Sequence, residues 1–232
     1  MADTMTRSIE DREYERDSIP SDEYRSALVS LLAVHAVPVW AWGQRDAYAS
    51  MVMDGPSLDQ WVLTSNLWAE AERDLWEWEQ LIDAIADEPS DAVVGRVIGS
   101  LAQSTPAALE SWFDLIGACV TLSGLGEQLV RTFTESSYGP LARHARLMVM
   151  YKRGQTADGI SAFRQGVQRE EFSDADVEAT LAKWSDIART HAEAVAALQG
   201  PSRWTELGLA TEFDPEAAVR EVDSLIRQHL KG

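Results

Sequence analysis

Helical spacing that leaves no room for a strand is what most limits the folds open to this chain. From Ser21 onward the inward-type residues recur at i, i+3 and i+4, as in Leu28, Leu31, Leu32, His35, Val39 and Trp42. No run of alternating β-branched and polar residues is long enough to be read as a strand. Turn and cap signals punctuate the helical pattern: Asp54-Gly55-Pro56-Ser57, Glu88-Pro89-Ser90, Ser104-Thr105-Pro106, Ser136-Ser137-Tyr138-Gly139-Pro140, Ser173-Asp174-Ala175-Asp176 and Gly200-Pro201. Between them the pattern predicts a helix from Ser21 to about Met53, kinked at Pro38, and a second reaching Ala86. Further helices are predicted over 92–103, 107–135, 140–169 and 174–199, with an amphipathic one over 215–230. The expected class is all-α. Four or five helices of about 25–30 residues joined by short turns imply an up-and-down bundle with crossings near 20°.

Charge excludes one group of partners. The 232 residues hold 38 acids against 20 bases, a formal charge of −18, so a phosphate backbone would be repelled. Only three of the bases are lysines (Lys152, Lys183, Lys231), and acidity with so few lysines suits a salt-rich cytoplasm or a GC-rich genome. The chain is long enough to bury a core without staples, and the single Cys119 excludes a disulfide framework. No apolar run was expected to approach the ~20 residues of a membrane span, and residues 1–17 lack the apolar core of a signal peptide. The expectation is therefore a cytoplasmic protein that binds neither nucleic acid nor membrane. Its charged residues 1–20 read as a flexible tail, and residues 21–232 as one helical domain.

Long antiparallel helices commonly carry a two-metal carboxylate centre, which takes a Glu from each of two helices and Glu-x-x-His from two more. This chain contains no Glu-x-x-His: three residues before His35, His144, His191 and His229 stand Leu32, Leu141, Ala188 and Ile226. Glu70, in the acidic stretch Glu70-Ala71-Glu72-Arg73-Asp74, has a cation three residues later and is expected to pair with Arg73 or Arg131. Glycine-rich phosphate loops, nucleophile elbows and Cys-x-x-Cys pairs are absent. Cys119 reads as a small buried apolar group, Gly124-Leu125-Gly126 as a place of tight packing, and His144, flanked by Arg143 and Arg146, as a surface or interface group. Trp61, Trp68, Trp76 and Trp78 read as core or subunit contacts.

Several segments, taken in order, resemble the phenylacetic acid catabolic family. They are Leu31-Leu32 with Gly43-Gln44-Arg45, Gly55-Pro56-Ser57-Leu58, Asn66-Leu67-Trp68-Ala69-Glu70 and, most specifically, Glu135-Ser136-Ser137-Tyr138-Gly139-Pro140-Leu141-Ala142. Trp204-Thr205-Glu206-Leu207-Gly208-Leu209 followed by Asp214-Pro215 resembles the family's C-terminal end, and the likeness is greatest to the structural, C-type subunits of phenylacetyl-CoA epoxidases. The resemblance implies a ferritin-like four-helix bundle with additional helices. It places the family's ligand positions on Tyr48, Glu70, Arg73, Arg131, Lys152 and Gln155, of which only Glu70 keeps a ligand side chain. It thus implies a pseudo-metal site, with no catalytic residue, metal or cofactor, and three cations (Arg73, Arg131, Lys152) able to neutralise Glu70. The implied partner is the ferritin-like catalytic subunit of an oxygenase complex, with self-association as a companion expectation. Two other readings remain open: an atypical metal-dependent oxidoreductase using Glu70, Glu127, His144 and Asp158, and a small-ligand or acyl-CoA-binding bundle using Arg73, Arg131 and Lys152.

Overall fold

Serine and aspartate caps start several helices where the sequence places them. The computed structural model describes residues 18–42, 58–101, 111–198 and 203–230. These form eight helices and no strand: α1 (Asp22–Trp42), α2 (Leu58–Asp83), α3 (Ser90–Leu101), α4 (Trp112–Arg131), α5 (Gly139–Gln168), α6 (Asp174–Leu198), α7 (Arg203–Glu206) and α8 (Pro215–Leu230). The fold is all-α. Ser21 Oγ accepts from the Tyr24 amide at 3.1 Å, and Ser111 Oγ from Asp114 at 3.1 Å. Ser173 and Asp176 cap each other's amides at 3.2 and 2.9 Å, so two otherwise orphaned donors at the start of α6 are satisfied. Pro140 sits in the first turn of α5, where its missing N–H leaves no hydrogen bond broken.

Several boundaries differ from the sequence reading. Helix α2 ends at Asp83 rather than Ala86, and Ser111 caps α4 at Trp112 where the sequence reading begins the helix at 107. Helix α1 continues through Pro38 to Trp42, and the expected extension to Met53, the position Tyr48 and the tail 1–17 lie outside the described residues. Helix α4 stops at Arg131 rather than Glu135, because Thr132, Phe133 and Thr134 turn their amides onto carbonyls three residues back. The four-residue α7 was not expected; it is a single turn that buries Trp204.

Successive side-chain contacts fix the directions of the long helices. Arg25 meets Asp87 just beyond α2 while His35 stacks near Trp78, so α1 and α2 are antiparallel. Glu70 with Gln155 and Glu77 with His144 make α2 antiparallel to α5. Ser123 with Gln155 and Phe113 with Phe163 do the same for α4 and α5. Helix α6 lies against α4 and α8, through Asp114–Lys183 and Ser185–Asp223. Two apolar cores result. The larger joins α1, α2, the C-terminal half of α4, the first half of α5 and the end of α6, and includes Leu28, Leu32, Trp78, Phe133 and Tyr138. The smaller holds Ile116, Val120, Ile160, Phe163, Leu181 and Ile226 from α4, α5, α6 and α8. Helix α4 serves both cores. Contrary to the sequence reading, it is long and apolar enough to cross a membrane by length and composition, and 78% of its apolar window is buried within the protein.

Close approach at α4 depends on glycine. A Cβ on Gly117 would lie 2.8 Å from Trp184 Cδ1, and one on Gly124 would lie 2.8 Å from Val222 Cγ1. Trp184 is fully buried and cannot yield without disturbing the packing around it. Gly117→Ala is expected to cost about 1–3 kcal/mol by overpacking, read as a lower midpoint in denaturant unfolding with an unchanged slope.

His35 is the polar residue set deepest in the larger core. Its ring lies 4.5 Å from Phe133, 5.9 Å from Trp78 and 6.3 Å from Trp204, between ring centroids. Burial first, and His191 second, hold its pKa down at about 3 from the ordinary 6.5. Folding therefore keeps His35 neutral while the unfolded chain takes up a proton. The stability it supports is complete above pH 6.5 and is lost as pH falls toward about 3, at up to about 1.4 kcal/mol per pH unit. His35→Leu should flatten the stability–pH profile across that window relative to the parent, measured by urea unfolding at successive pH values.

Candidate functional site

The inward stripe of α2 runs through Asp74, Trp78 and Ile82, each nearly inaccessible to solvent, and Ile85 continues it in the turn beyond. Glu70 and Glu77 flank it on the side of α5. The facing stripe of α5 carries Leu141, His144, Ala145, Met148 and Gln155, all buried. Apolar contact therefore closes the α2–α5 seam near one end, and polar groups must satisfy one another along the rest.

They do so in two linked sets. In the first, Ser123 Oγ donates to Gln155 Oε1 at 2.9 Å, and Gln155 Nε2 donates to Glu70 Oε2 at 2.8 Å. The Cys119 thiol donates to the Gln155 carbonyl at 3.5 Å, so α4, α5 and α2 are tied at one level. Burial pushes the Cys119 thiol up to about 12, which keeps it protonated and unreactive at neutral pH. In the second set Lys152 Nζ lies 3.1 Å from Asp74 Oδ2, with only 4% of the Asp74 side chain exposed. His144 Nδ1 is 2.7 Å from Glu77 Oε2. A carboxylate there requires Nδ1 to carry the proton, so in the neutral ring Nε2 presents a lone pair. That nitrogen faces Asp74 Oδ1 at 3.8 Å, and neither atom has a hydrogen-bond partner. Burial lowers the His144 pKa against the opposing pull of Asp74 and Glu77.

The positions named from the sequence take separate partners. Glu70 is hydrogen-bonded by Gln155, not by a cation cluster. Arg73 lies over the Tyr151 ring, 4.0 Å from its centroid, in an exposed cation–π contact. Arg131 pairs with Glu127 one turn back, at 2.5 Å, and Arg153 joins the same carboxylate at 2.9 Å. Lys152 goes to Asp74. The expected pairing of Glu70 with Arg73 or Arg131 is thus replaced by an amide contact, since Arg131 takes Glu127 on its own helix and Arg73 takes the Tyr151 ring across the seam.

The alternative metal set does not come together. Glu127 is held by two arginines, His144 by Glu77, and Asp158 is exposed. Among the described residues no group of three or more His, Cys, Asp or Glu side chains could hold a metal ion. Lys152 puts an ammonium on Asp74 Oδ2 and Gln155 an amide N–H on Glu70 Oε2, and a cation already beside Asp74 would repel a dication, so the donor set does not fit one. Arg73, Arg131 and Lys152 are likewise dispersed, and no common anion site joins them.

Burial of His144 corrects its reading as a surface group. It shares a helix face with Leu141, Ala145 and Met148, while the flanking Arg143 and Arg146 point outward. Asp74 and Glu77 were missed altogether. The available signal was periodic: Asp74 lies four residues from Glu70 and four from Trp78, on one inward stripe. Asp114 was missed too; it accepts from Lys183 at 2.8 Å and from Trp184 Nε1 at 2.7 Å, fastening the first turn of α4 to α6.

Removing one partner of a buried ion pair strands the other charge. Lys152→Met is expected to lose about 3–5 kcal/mol of stability, and Asp74→Leu with Lys152→Met to regain much of it, as read by chemical denaturation of the three proteins. Set against known protein families and curated proteins, the chain matches none of them.

Proposed function

We propose that the protein is a non-catalytic, ferritin-like subunit of a phenylacetyl-CoA epoxidase-type multicomponent oxygenase, acting in the cytoplasm as a scaffold for the iron-bearing catalytic subunit. The observation that carries this reading is the chemistry of the α2–α5 seam. In the resemblance, Lys152 and Gln155 stand where the second Glu-x-x-His would project, and each satisfies a carboxylate of α2: Lys152 that of Asp74, Gln155 that of Glu70. A seam filled in this way gives up metal chemistry and gains rigidity, because every group in it depends on a neighbouring helix.

A second feature supports the resemblance. Its most specific segment, around Tyr138, meets its C-terminal segment, around Gly208, in space. The Ser137 amide donates to the Gly208 carbonyl at 2.7 Å, and Ser137 Oγ to the Leu207 carbonyl at 3.2 Å. Ser137 Oγ has then given up its proton, so it accepts from the Tyr24 hydroxyl at 2.8 Å. Gly208 takes φ +69° to close this junction, a conformation that suits glycine.

Affinity-tagged full-length chain, recovered from its native cells, should carry a ferritin-like oxygenase subunit with intact Glu-x-x-His motifs in fixed stoichiometry, identified by peptide mass spectrometry. Recovery without any such subunit, from cells in which the oxygenase is expressed, would overturn the reading.

A further inference from the structure

Among the described residues, three of the four exposed large apolar side chains belong to one surface. Trp76 is 59% exposed on α2, and Leu147 and Met150 are 46% and 62% exposed on α5. The contacts Arg73–Tyr151 and Glu77–His144 set the register of the two helices, which brings Trp76 level with Leu147 across the seam. At 100° per residue the outer faces of the pair then read in a definite order. Glu72 and Glu79 form the far edge of α2, Trp76 comes next, and the Arg73–Tyr151 stack covers the seam. Leu147 and Met150 follow on α5 with the exposed Arg143 between them, then Arg146, and Arg153, which also holds Glu127. The basic edge stands out in a chain of net charge −18: between Gly139 and Ala157 there are four bases and no acid. On the acidic edge, Glu79 has its pKa raised by burial first and then by Asp83 and Asp91.

A face with an acidic edge, an apolar centre and a basic edge is complementary to its own copy. We propose that the outer face of α2 and α5 is a two-fold interface with a second copy of this chain, its axis lying along the seam. Rotation about that axis keeps each residue at its level and exchanges left for right. Trp76 of one copy then seats on Leu147 and Met150 of the other, while Glu79 comes over the other copy's Arg146, and Glu72 over the Arg153 that also holds Glu127. The arrangement closes on itself, so it ends at a dimer rather than a filament. The two helices run about 39 and 45 Å at 1.5 Å per residue, long enough for the roughly 800 Å² per partner of a stable interface. A tryptophan flanked by Met, Tyr and Arg is also the composition that dominates binding energy at such interfaces.

The test exploits the two-fold. Sedimentation of the full chain at moderate salt should give twice the chain mass, and Trp76→Ala should weaken the dimer about 30-fold or more. Charge reversal gives one variant with Arg146→Glu, which leaves the Arg153–Glu127 contact intact, and another with Glu79→Arg. Each alone should be monomeric and fold with parental helicity, and an equimolar mixture should form a one-to-one heterodimer. Wild-type protein that sediments as a monomer overturns the proposal, whether or not it binds a ferritin-like partner. So does a dimer that both variants leave intact, which would place the interface elsewhere.

Discussion

A carboxylate held in a nearly dry seam between two helices must have its charge answered, and the rest of this structure is arranged around that demand. Asp74 is answered by Lys152 across α2 and α5. Because the ammonium is fixed there, the backbone of α5 is fixed with it, and Gln155 is delivered one turn on to Glu70 and Ser123. Helix α4 is drawn in by the same amide, and through Asp114 it carries α6. Hydrophobic burial drives the helices together, but any slide along a smooth apolar seam would cost little. The polar contacts occur at intervals of one or two turns and penalise every such slide by stranding a charge.

The linked seam has one loose point. His144 Nε2 and Asp74 Oδ1 face each other without a shared proton. The imidazolium would donate to both Glu77 and Asp74, whereas the neutral ring serves only Glu77. Burial favours the neutral ring and the two acids favour the charged one, so modest changes around Glu77 shift the balance between them.

The helices were legible because their signals are local. Ser21 and Ser173 cap, and Pro140 and Pro215 begin, each by chemistry contained within four residues, whereas the Ser111 cap lies inside the stretch read as helix from 107. Glycine contacts were half legible: Gly117 and Gly124 announce close approach but not that Trp184 and Val222 supply it. The site was least legible. Arg143 and Arg146 disguise an inward histidine, and Asp74 sits in a run of acids where its neighbours Glu72 and Arg73 are exposed. Nothing local distinguishes an acid that will face Lys152 from one that will face water; that depends on which helix arrives opposite. The likeness to a metal-binding family pointed to Glu70, Lys152 and Gln155 as positions of interest, and the structure joins them into different pairs from those expected.

The junction of Tyr24, Ser137 and Gly208 bears on how the protein is made. Helix α1 finishes its packing only when Trp204 and the turn at Gly208 are present, some 180 residues after Tyr24. At about 5–20 residues per second, a ribosome needs roughly 10–40 s to cover that distance. Through that interval the leucines of α1 have no finished core to enter. Helices α2 and α3 can cover part of α1 early, but the side closed by Trp204 and Gly208 stays open for most of the chain's synthesis.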